Sequence, residues 1–203
     1  MSEVKVDKIS PATGTDIVTL GDSGDNFKIP SGGTLTIESG GTITNSGTAS
    51  GLGGGKIVQV VHLQDGAVAS GTTTIPDDDT IPQNTEGDEW NTLAITPTSA
   101  TNKLLINVVL HGQGSSSDTT NFCALFQDTT AGALAATQLR TDSNARQNFC
   151  FTHYMTAGTT SSTTFKVRIG GQAGTMTING HSSTARVLGG VLSSTITITE
   201  IEV

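Results

Sequence analysis

The chain has 203 residues with a net charge of −8, and 34% of its residues are hydrophobic and 14% charged. No basic cluster is present, and binding to a phosphate backbone depends on such a cluster, so nucleic acid is excluded as a partner. No apolar run approaches the roughly 20 residues of a membrane span. The low charge and the excess of Ser, Thr and Gly do not match a charged disordered protein and favour an all-β fold.

The first segment, residues 1–30, predicts a short β element. Alternating Val4, Val6 and Ile9 indicate one strand and residues 17–20 a second, with a Pro-Ala-Thr-Gly turn between them. Such strand edges can add to the sheet of a partner, which makes this segment the predicted docking end. It lacks the apolar block of a signal peptide, so synthesis and assembly in a cytoplasm are expected.

Residues 31–55 form a Gly/Thr-rich repeat. Nine of these 25 residues are Gly, and Gly-Gly-Thr-Leu-Thr at 32–36 returns as Gly-Gly-Thr-Ile-Thr at 40–44, with a degraded third copy at 46–51. A repeat this small cannot bury Leu35, Ile37 and Ile43 by itself. Two alternatives follow: a shaft in which several identical chains pool these side chains, or a flexible linker. Fully extended, the segment would span roughly 80 Å.

Residues 56–203 predict a separate C-terminal head made of many short strands. Alternation is clearest in Phe-Lys-Val-Arg-Ile at 165–169 and in the run from Ile196 to Ile201. Residues 103–110 are almost continuously apolar and predict a central strand covered on both faces. Eight or nine strands indicate a two-sheet jelly-roll sandwich. The candidates are residues 57–63, 72–75, 92–95, 103–110, 121–126, 149–155, 163–169, 175–178 and 194–203, and residues 131–139 are considered for one helical turn.

The two cysteines, Cys123 and Cys150, each stand next to phenylalanines. Buried free thiols packed against aromatic rings are the expected state. A disulfide would require the two strands to pair side by side and is not predicted.

The polar clusters give no pattern of a cofactor, metal or catalytic site. Asp77-Asp78-Asp79 lacks the EF-hand spacing of a Ca²⁺ loop, so a solvated acidic loop is expected, with a cation site as the alternative. The four histidines, His62, His111, His153 and His181, form no close pair of the kind metal sites use. A threefold axis gathering three copies of one histidine stays open. Residues 91–203 have only five carboxylates, too few to suggest a glycan-cleaving pair: Asp118, Asp128, Asp142, Glu200 and Glu202. The chain is predicted not to be an enzyme.

Four motifs resemble marine-phage tail-fibre proteins. The segment 187–201 is similar to the last strand of tail-fibre head domains, which themselves resemble the jelly rolls of tumour necrosis factor and C1q. Trp90 with Leu-Ala-Ile-Thr-Pro at 93–97, and Ser-Ala-Thr-Asn-Lys-Leu-Leu at 99–105, also occur in similar chains. Val-Asp-Lys-Ile-Ser-Pro at 6–11 is similar to the attachment ends of such fibres.

The resemblance implies a homotrimeric phage structural protein in the virion. In that interpretation residues 1–30 join other tail or capsid proteins, and the head binds the host cell surface, including surface glycan. The Ser/Thr/Gly-rich connections at 112–120, 157–164, 170–174 and 180–184 are the expected recognition loops. The chain is short for a fibre, so a trimeric capsid decoration or cement protein that stabilises the shell is the alternative.

Overall fold

The structure is a computed structural model that describes residues 29, 31–42, 56–142, 145–181 and 185–203. The chain divides into two units, Met1–Leu52 and Gly53–Val203, which are described separately. The predicted strands within residues 1–20 and the third repeat copy lie outside the described residues. The assignment of three domains therefore stays a prediction.

In the first unit, the eight-residue repeat is also a repeat of backbone conformation. Gly32 and Gly40 lie eight residues apart, and their φ angles are 85° and 86°. Side chains other than glycine rarely adopt this conformation, which explains why glycine recurs at this offset. Between the two turns, Leu35 and Ile37 are exposed.

The second unit is an all-β sandwich, as the sequence predicts. Its strands form a six-stranded sheet and a four-stranded sheet. Sheet I contains the order β1-β12-β4-β7, with β9 pairing with the C-terminal part of β4 and β2 pairing with β9, and sheet II has the order β3-β8-β5-β6. This is a jelly-roll arrangement. The described strands are β1 (Ile57–Asp65), β2 (Ala69–Gly71), β3 (Asp88–Ile95), β4 (Lys103–Gly114), β5 (Thr119–Gln127), β6 (Ala135–Thr141), β7 (Arg146–Thr156), β8 (Thr163–Gly171), β9 (Met176–Ile178), β10 (Gly180–His181), β11 (Ala185–Arg186) and β12 (Ser194–Ile201).

The core lies between the two sheets and is built from alternate residues of their central strands. Strand β4 directs Leu104, Ile106, Val108 and Leu110 inward, and none of them is accessible to solvent. Period-two alternation places the intervening residues of the same strand on the opposite face of sheet I. The inward residues of β12, β8 and β5 complete the cluster.

Most predicted strands are confirmed, and three local predictions are wrong. Residues 72–75 form no ladder, because the Thr73 amide donates to the Asp88 carboxylate at 3.0 Å. Residues 135–141 are a strand, since pairing with β5 overrides the helical tendency of the alanines. The loop bounds also shift: 112–114, 119–120, 170–171 and 180–181 lie in strands.

Part of the outer side of sheet II is covered by the chain itself, while Thr92 and Ala94 of β3 remain exposed. The segment 72–87 crosses this face, where Ile75 is buried against the outward Gly170. Farther along the segment, the guanidinium of Arg168 donates to the carbonyl oxygens of Glu86 and Gly87 at 2.8 and 2.7 Å. As a result every residue of β5 from Thr119 to Phe126 is buried, on both faces of the strand.

The two ends of the sandwich carry different parts of the chain. Lys56, where the chain enters the head, accepts a hydrogen bond from the amide of Glu202, and this end also holds the connections 96–102 and 157–162. At the opposite end, Ser115 pairs with Thr175. We call these the entry end and the distal end. The predicted recognition loops are therefore divided between two ends rather than gathered at one.

Candidate assembly face

The outer face of sheet I differs from that of sheet II because, of the described segments, only the turn at 187–192 lies beside it, next to the row of His111 and Asn148. Strand register aligns its outward side chains in five rows that run across the strands. None of these outward positions is buried. From the entry end, the rows are Ile57–Ile201–Lys103–Thr156; Val60–Thr199–Leu105–Tyr154; His62–Thr197–Asn107–Thr152; Gln64–Thr195–Val109–Cys150; and His111–Asn148.

This finding corrects the expectation that residues 103–110 are covered on both faces. The strand is central, but Asn107 is exposed, and Leu105 and Val109 are only half-buried. The strand that its own chain covers on both faces is β5 instead. An apolar central strand with one open face is a candidate for covering by another molecule.

The outer face of sheet I carries almost no charge. The chain contains 18 carboxylates, yet none occurs among the side chains of the five rows. Lys103 is the single permanent charge there, at the entry-end row. Like charges would oppose contact between copies of one surface, since identical patches meet or lie close in a symmetric assembly. A neutral face avoids that repulsion.

Many polar groups of the face already have partners within the protomer. His62 Nδ1 and Thr197 Oγ1 lie 2.8 Å apart, and Lys103 Nζ donates to Thr156 Oγ1 at 2.7 Å. Asn107 Nδ2 donates to Thr152 Oγ1 at 3.3 Å. Polar groups that are already hydrogen-bonded lose less when water is removed from them. The face can therefore be desolvated at modest cost.

The apolar part of the face is concentrated in the second row. Val60 and Tyr154 are each 54% exposed and Leu105 half-buried, so the row presents aliphatic and aromatic surface together. Strands lie about 4.8 Å apart and rise about 3.4 Å per residue, so the five rows cover roughly 20 by 30 Å. That is about 600 Å², close to the roughly 800 Å² per partner of a standard protein interface.

A buried carboxylate fixes the entry end of this sheet from the inside. Glu200 of β12 is fully buried and accepts hydrogen bonds from Gln59 Nε2 at 2.6 Å and Asn102 Nδ2 at 2.6 Å. The amide and hydroxyl of Thr98 donate to it as well, each at 2.8 Å. The network ties β1, β12 and the β3–β4 connection together. The network explains in structural terms why Asn102 occurs in the motif at 99–105 and why Thr98 precedes that motif.

The hydrogen bonds decide the ionisation of this group. Burial by itself raises the pKa of Glu200, but the donors Gln59, Asn102 and Thr98 outweigh it and lower the pKa to about 2. The group is therefore ionised at neutral pH although it is buried. Its charge is balanced by directed donors rather than by a cation.

The residues singled out in the sequence do not form one site. Asp78 accepts hydrogen bonds from the amide and hydroxyl of Thr80, which lower its pKa, and its loop is exposed. His62 and His111 lie in different rows of the outer face, and His153 faces inward from β7. Among the described residues, no group of three metal-ligating side chains comes together.

The cysteines follow the sequence prediction only in part. Both are free thiols, as predicted. Cys123 is buried in the core, and burial raises the pKa of its thiol. Cys150, however, is exposed, so the prediction of burial is wrong for it. Period-two alternation places the flanking Phe149 and Phe151 inward and directs Cys150 outward.

Comparisons with known proteins show only distant likenesses. No family model matches the chain, and no curated protein matches it significantly. Dimeric latent PorU from Porphyromonas gingivalis matches 76% of this chain at 6% identity with a TM-score of 0.37, but the chain spans only 14% of it. A structure of infectious bursal disease virus, Gx strain, matches 70% of this chain at 15% identity with a TM-score of 0.35, and 36% of it is covered.

A third structure, Eiger TNF from S. frugiperda, matches 70% of this chain and 93% of its own at 11% identity, with a TM-score of 0.35. At these scores no argument about function follows from the three likenesses. In the described part of the chain, no helix has the length and hydropathy to cross a membrane.

We expect Glu200→Gln to lower the free energy of unfolding by on the order of 2–3 kcal/mol at pH 7, because the directed donors lose a charged acceptor. The folded pKa of about 2 lies below the unfolded value of about 4.3. The contribution is therefore complete above about pH 5 and is lost as pH falls toward 2. Urea unfolding at pH 7 and pH 3 measures it, with Glu202→Gln as the exposed control.

The wild-type advantage should be smaller at pH 3 than at pH 7, while Glu202→Gln should behave like the wild type at both. Equal stability of Glu200→Gln and the wild type at pH 7 would contradict this account of the network.

Proposed function

We propose that the protein is a homotrimeric phage structural protein in which the first four rows on the outer face of sheet I, counted from the entry end, are the contact between heads, and the distal row of His111 and Asn148 lies outside it. The observation that carries the proposal is that these rows are partly apolar, carry only the charge of Lys103 and contain no buried side chain, whereas the segment 72–87 covers part of the outer face of sheet II. The number three comes from the resemblance to tail-fibre heads. The same symmetry would let Leu35 and Ile37, exposed in one chain, pack against their copies.

Within the virion, we propose that the chain is a tail fibre. Residues 1–30 attach to other virion proteins, the repeat acts as a shaft, and the head contacts the host surface. In the head, the chain enters at one end of the sandwich and leaves the distal end free. Loops on a rigid scaffold are a common place for recognition, and three heads multiply weak contacts with glycans.

The second candidate is a trimeric decoration protein that cements the capsid. The observation that favours it is the length of residues 31–55, which reach at most roughly 80 Å even when fully extended. Both candidates use the same trimer and the same docking end. They differ in copy number, because a tail carries few trimers and a shell carries many.

The head is proposed to bind without catalysis. Glu200 is committed to its hydrogen-bond network, and the carboxylates that remain in β4 to β12 and their connections are spread over separate loops. Glycan hydrolysis needs two carboxyl groups facing one bond across a cleft. Two carboxylates, Asp78 and Asp79, line one cavity of the described head. They are adjacent residues of one exposed loop, and Asp78 already accepts hydrogen bonds from Thr80.

We expect the wild-type chain to sediment as a trimer, three times 20.7 kDa, at micromolar concentration. The double variant Val60→Asp/Tyr154→Asp should sediment as a folded monomer, because it places carboxylates from each copy in a desolvated contact. Ala94→Asp, an exposed position on sheet II, is the matched control and should stay trimeric. A monomeric wild type, or a double variant that remains trimeric, would contradict the proposed contact.

We expect a chain that lacks residues 1–30 to keep a folded head and to be absent from particles, because the docking strands have been removed.

Quantitative imaging of labelled wild-type particles should place a few trimers at the tail. Dozens of trimers over the shell would favour the decoration protein instead. Normal incorporation of the truncated chain would contradict the docking role, and release of reducing sugar from host envelope polysaccharide would contradict the non-catalytic head.

A further inference from the structure

The distal end of the head contains a small cavity between the outer face of sheet I and the turn before β12. Its volume is about 200 Å³. At roughly 30 Å³ per water molecule this holds about six waters, the bulk of a single sugar ring. We call it the distal pocket. Its lining includes His111, Arg146, Asn148, Val187, Leu188 and Leu192.

The two walls of the distal pocket differ in chemistry. The turn contributes Val187, Leu188 and Leu192, which we call the aliphatic wall. Strands β4 and β7 contribute His111, Arg146 and Asn148, which we call the polar wall. Sugar rings are amphipathic in the same way, with C–H groups on their faces and hydroxyls at their edges. A concave site with an apolar surface and a few polar groups is the usual form of a small-ligand site.

The charge of the distal pocket is opposite to that of the whole chain. The net charge is −8, yet the cavity is lined by an arginine and by no carboxylate. Arg146 forms no ion pair with a described residue, whereas Arg140, at the same end of the head, pairs with Asp118 at 2.8 Å. An unpaired guanidinium in a cavity suits a carboxylate or phosphate, which it can bind through two hydrogen bonds.

The polar wall also has a defined hydrogen-bonding pattern. His111 Nδ1 and Asn148 Oδ1 lie 2.6 Å apart. Because an amide oxygen only accepts, Nδ1 carries the hydrogen in this pair, and Nε2 of the neutral ring is left as an acceptor. The amide nitrogen of Asn148 supplies donors. The wall thus offers a cation, an acceptor and donors to one ligand.

The aliphatic wall is held in place by a strained turn. Leu188, Gly189 and Gly190 have φ angles of 49°, 65° and 91°, and Leu188 remains 69% exposed. A leucine in the left-handed region is strained, because its Cβ atom comes close to the following carbonyl oxygen. The Gly190 amide closes the turn by donating to the Val187 carbonyl at 2.9 Å. The turn therefore keeps an aliphatic side chain beside the cavity instead of in the core.

We infer that the distal pocket binds an anionic sugar residue, with Arg146 on the acidic group, His111 and Asn148 on hydroxyls and the aliphatic wall against the ring. The inference rests on the proposed function, because it names the ligand class for a head that attaches to host cells. The anionic group can be a uronate carboxylate or a sugar phosphate. Three pockets per trimer raise a weak affinity for one residue to useful avidity on a polymer.

Titration of the purified wild-type trimer, followed by NMR, tests the inference with three probes: glucuronate, glucose 6-phosphate and glucose. We expect saturable millimolar binding of at least one anionic sugar and at least tenfold weaker binding of glucose. Which anionic sugar binds more tightly identifies the natural group. Arg146→Met should reduce that binding at least tenfold, whereas Arg140→Met, the same charge change outside the pocket, should leave it unchanged.

Adsorption of the same proteins to host cells separates the two levels of the proposal. If the wild type and Arg146→Met adsorb equally, the inference that the distal pocket binds the host sugar is contradicted, while attachment by the head is supported. If the wild type does not adsorb to host cells, the proposal that the head attaches to them is contradicted. The sugar titration then still tests whether the distal pocket binds an anionic sugar. Equal binding of glucose and the anionic sugars, or no binding of any of them by a trimer that adsorbs, would also overturn the inference.

Discussion

The sandwich has four sheet faces, and the described part of the chain covers two of them fully and a third in part. The two inner faces cover each other across the core, and the segment 72–87 covers part of the outer face of sheet II through Ile75 and the bonds to Arg168. The outer face of sheet I remains open, with Val60 and Tyr154 more than half exposed. The exposed aliphatic and aromatic surface of this row is costly to leave in water. The proposed contact between heads depends on this difference between the two outer faces.

The strands that form the open face are fixed in register by hydrogen bonds on the inner side of sheet I. Glu200 is buried beneath the entry end, where its donors connect the strands of sheet I with the β3–β4 connection. A buried carboxylate without donors would be neutralised or expelled, so the network specifies one register for β12. The proposed contact between heads depends on this fixed register, because the register decides which side chains share the open face.

The sequence predicted the fold class because its strongest patterns are local. The alternation in β8 and β12 places one residue in two in the core, and the structure confirms it. The sequence does not predict strand β6, because Ala-Ala-Thr-Gln-Leu-Arg-Thr shows no alternation of apolar and polar residues. The segment is a strand because it pairs with β5. The prediction for residues 72–75 failed for a similar reason, since a side chain of β3 takes the Thr73 amide that a ladder would need.

The open face of sheet I is harder to predict from the sequence than the fold class is. Its rows depend on which strands are neighbours and in which register, and neither property is local. The continuous apolar runs of β4 and β5 look alike, yet the chain covers β5 on both sides and leaves β4 open on one. The distal pocket joins Arg146 to residues about 40 positions later in the chain. The signal that was available is the hydroxyl series Thr195, Thr197 and Thr199, which indicates an outward face free of charge.

The most direct test of the central claim is the labelling rate of a thiol placed in the middle of the open face. The probe is Asn107→Cys in a Cys150→Ser background, where the remaining Cys123 is buried. The reference is Thr92→Cys, an exposed position on sheet II, in the same background. If copies of the chain cover the outer face of sheet I, the thiol at position 107 reacts far more slowly than the reference and becomes accessible on dilution to monomers. Equal labelling of the two thiols in the assembled protein would contradict the account.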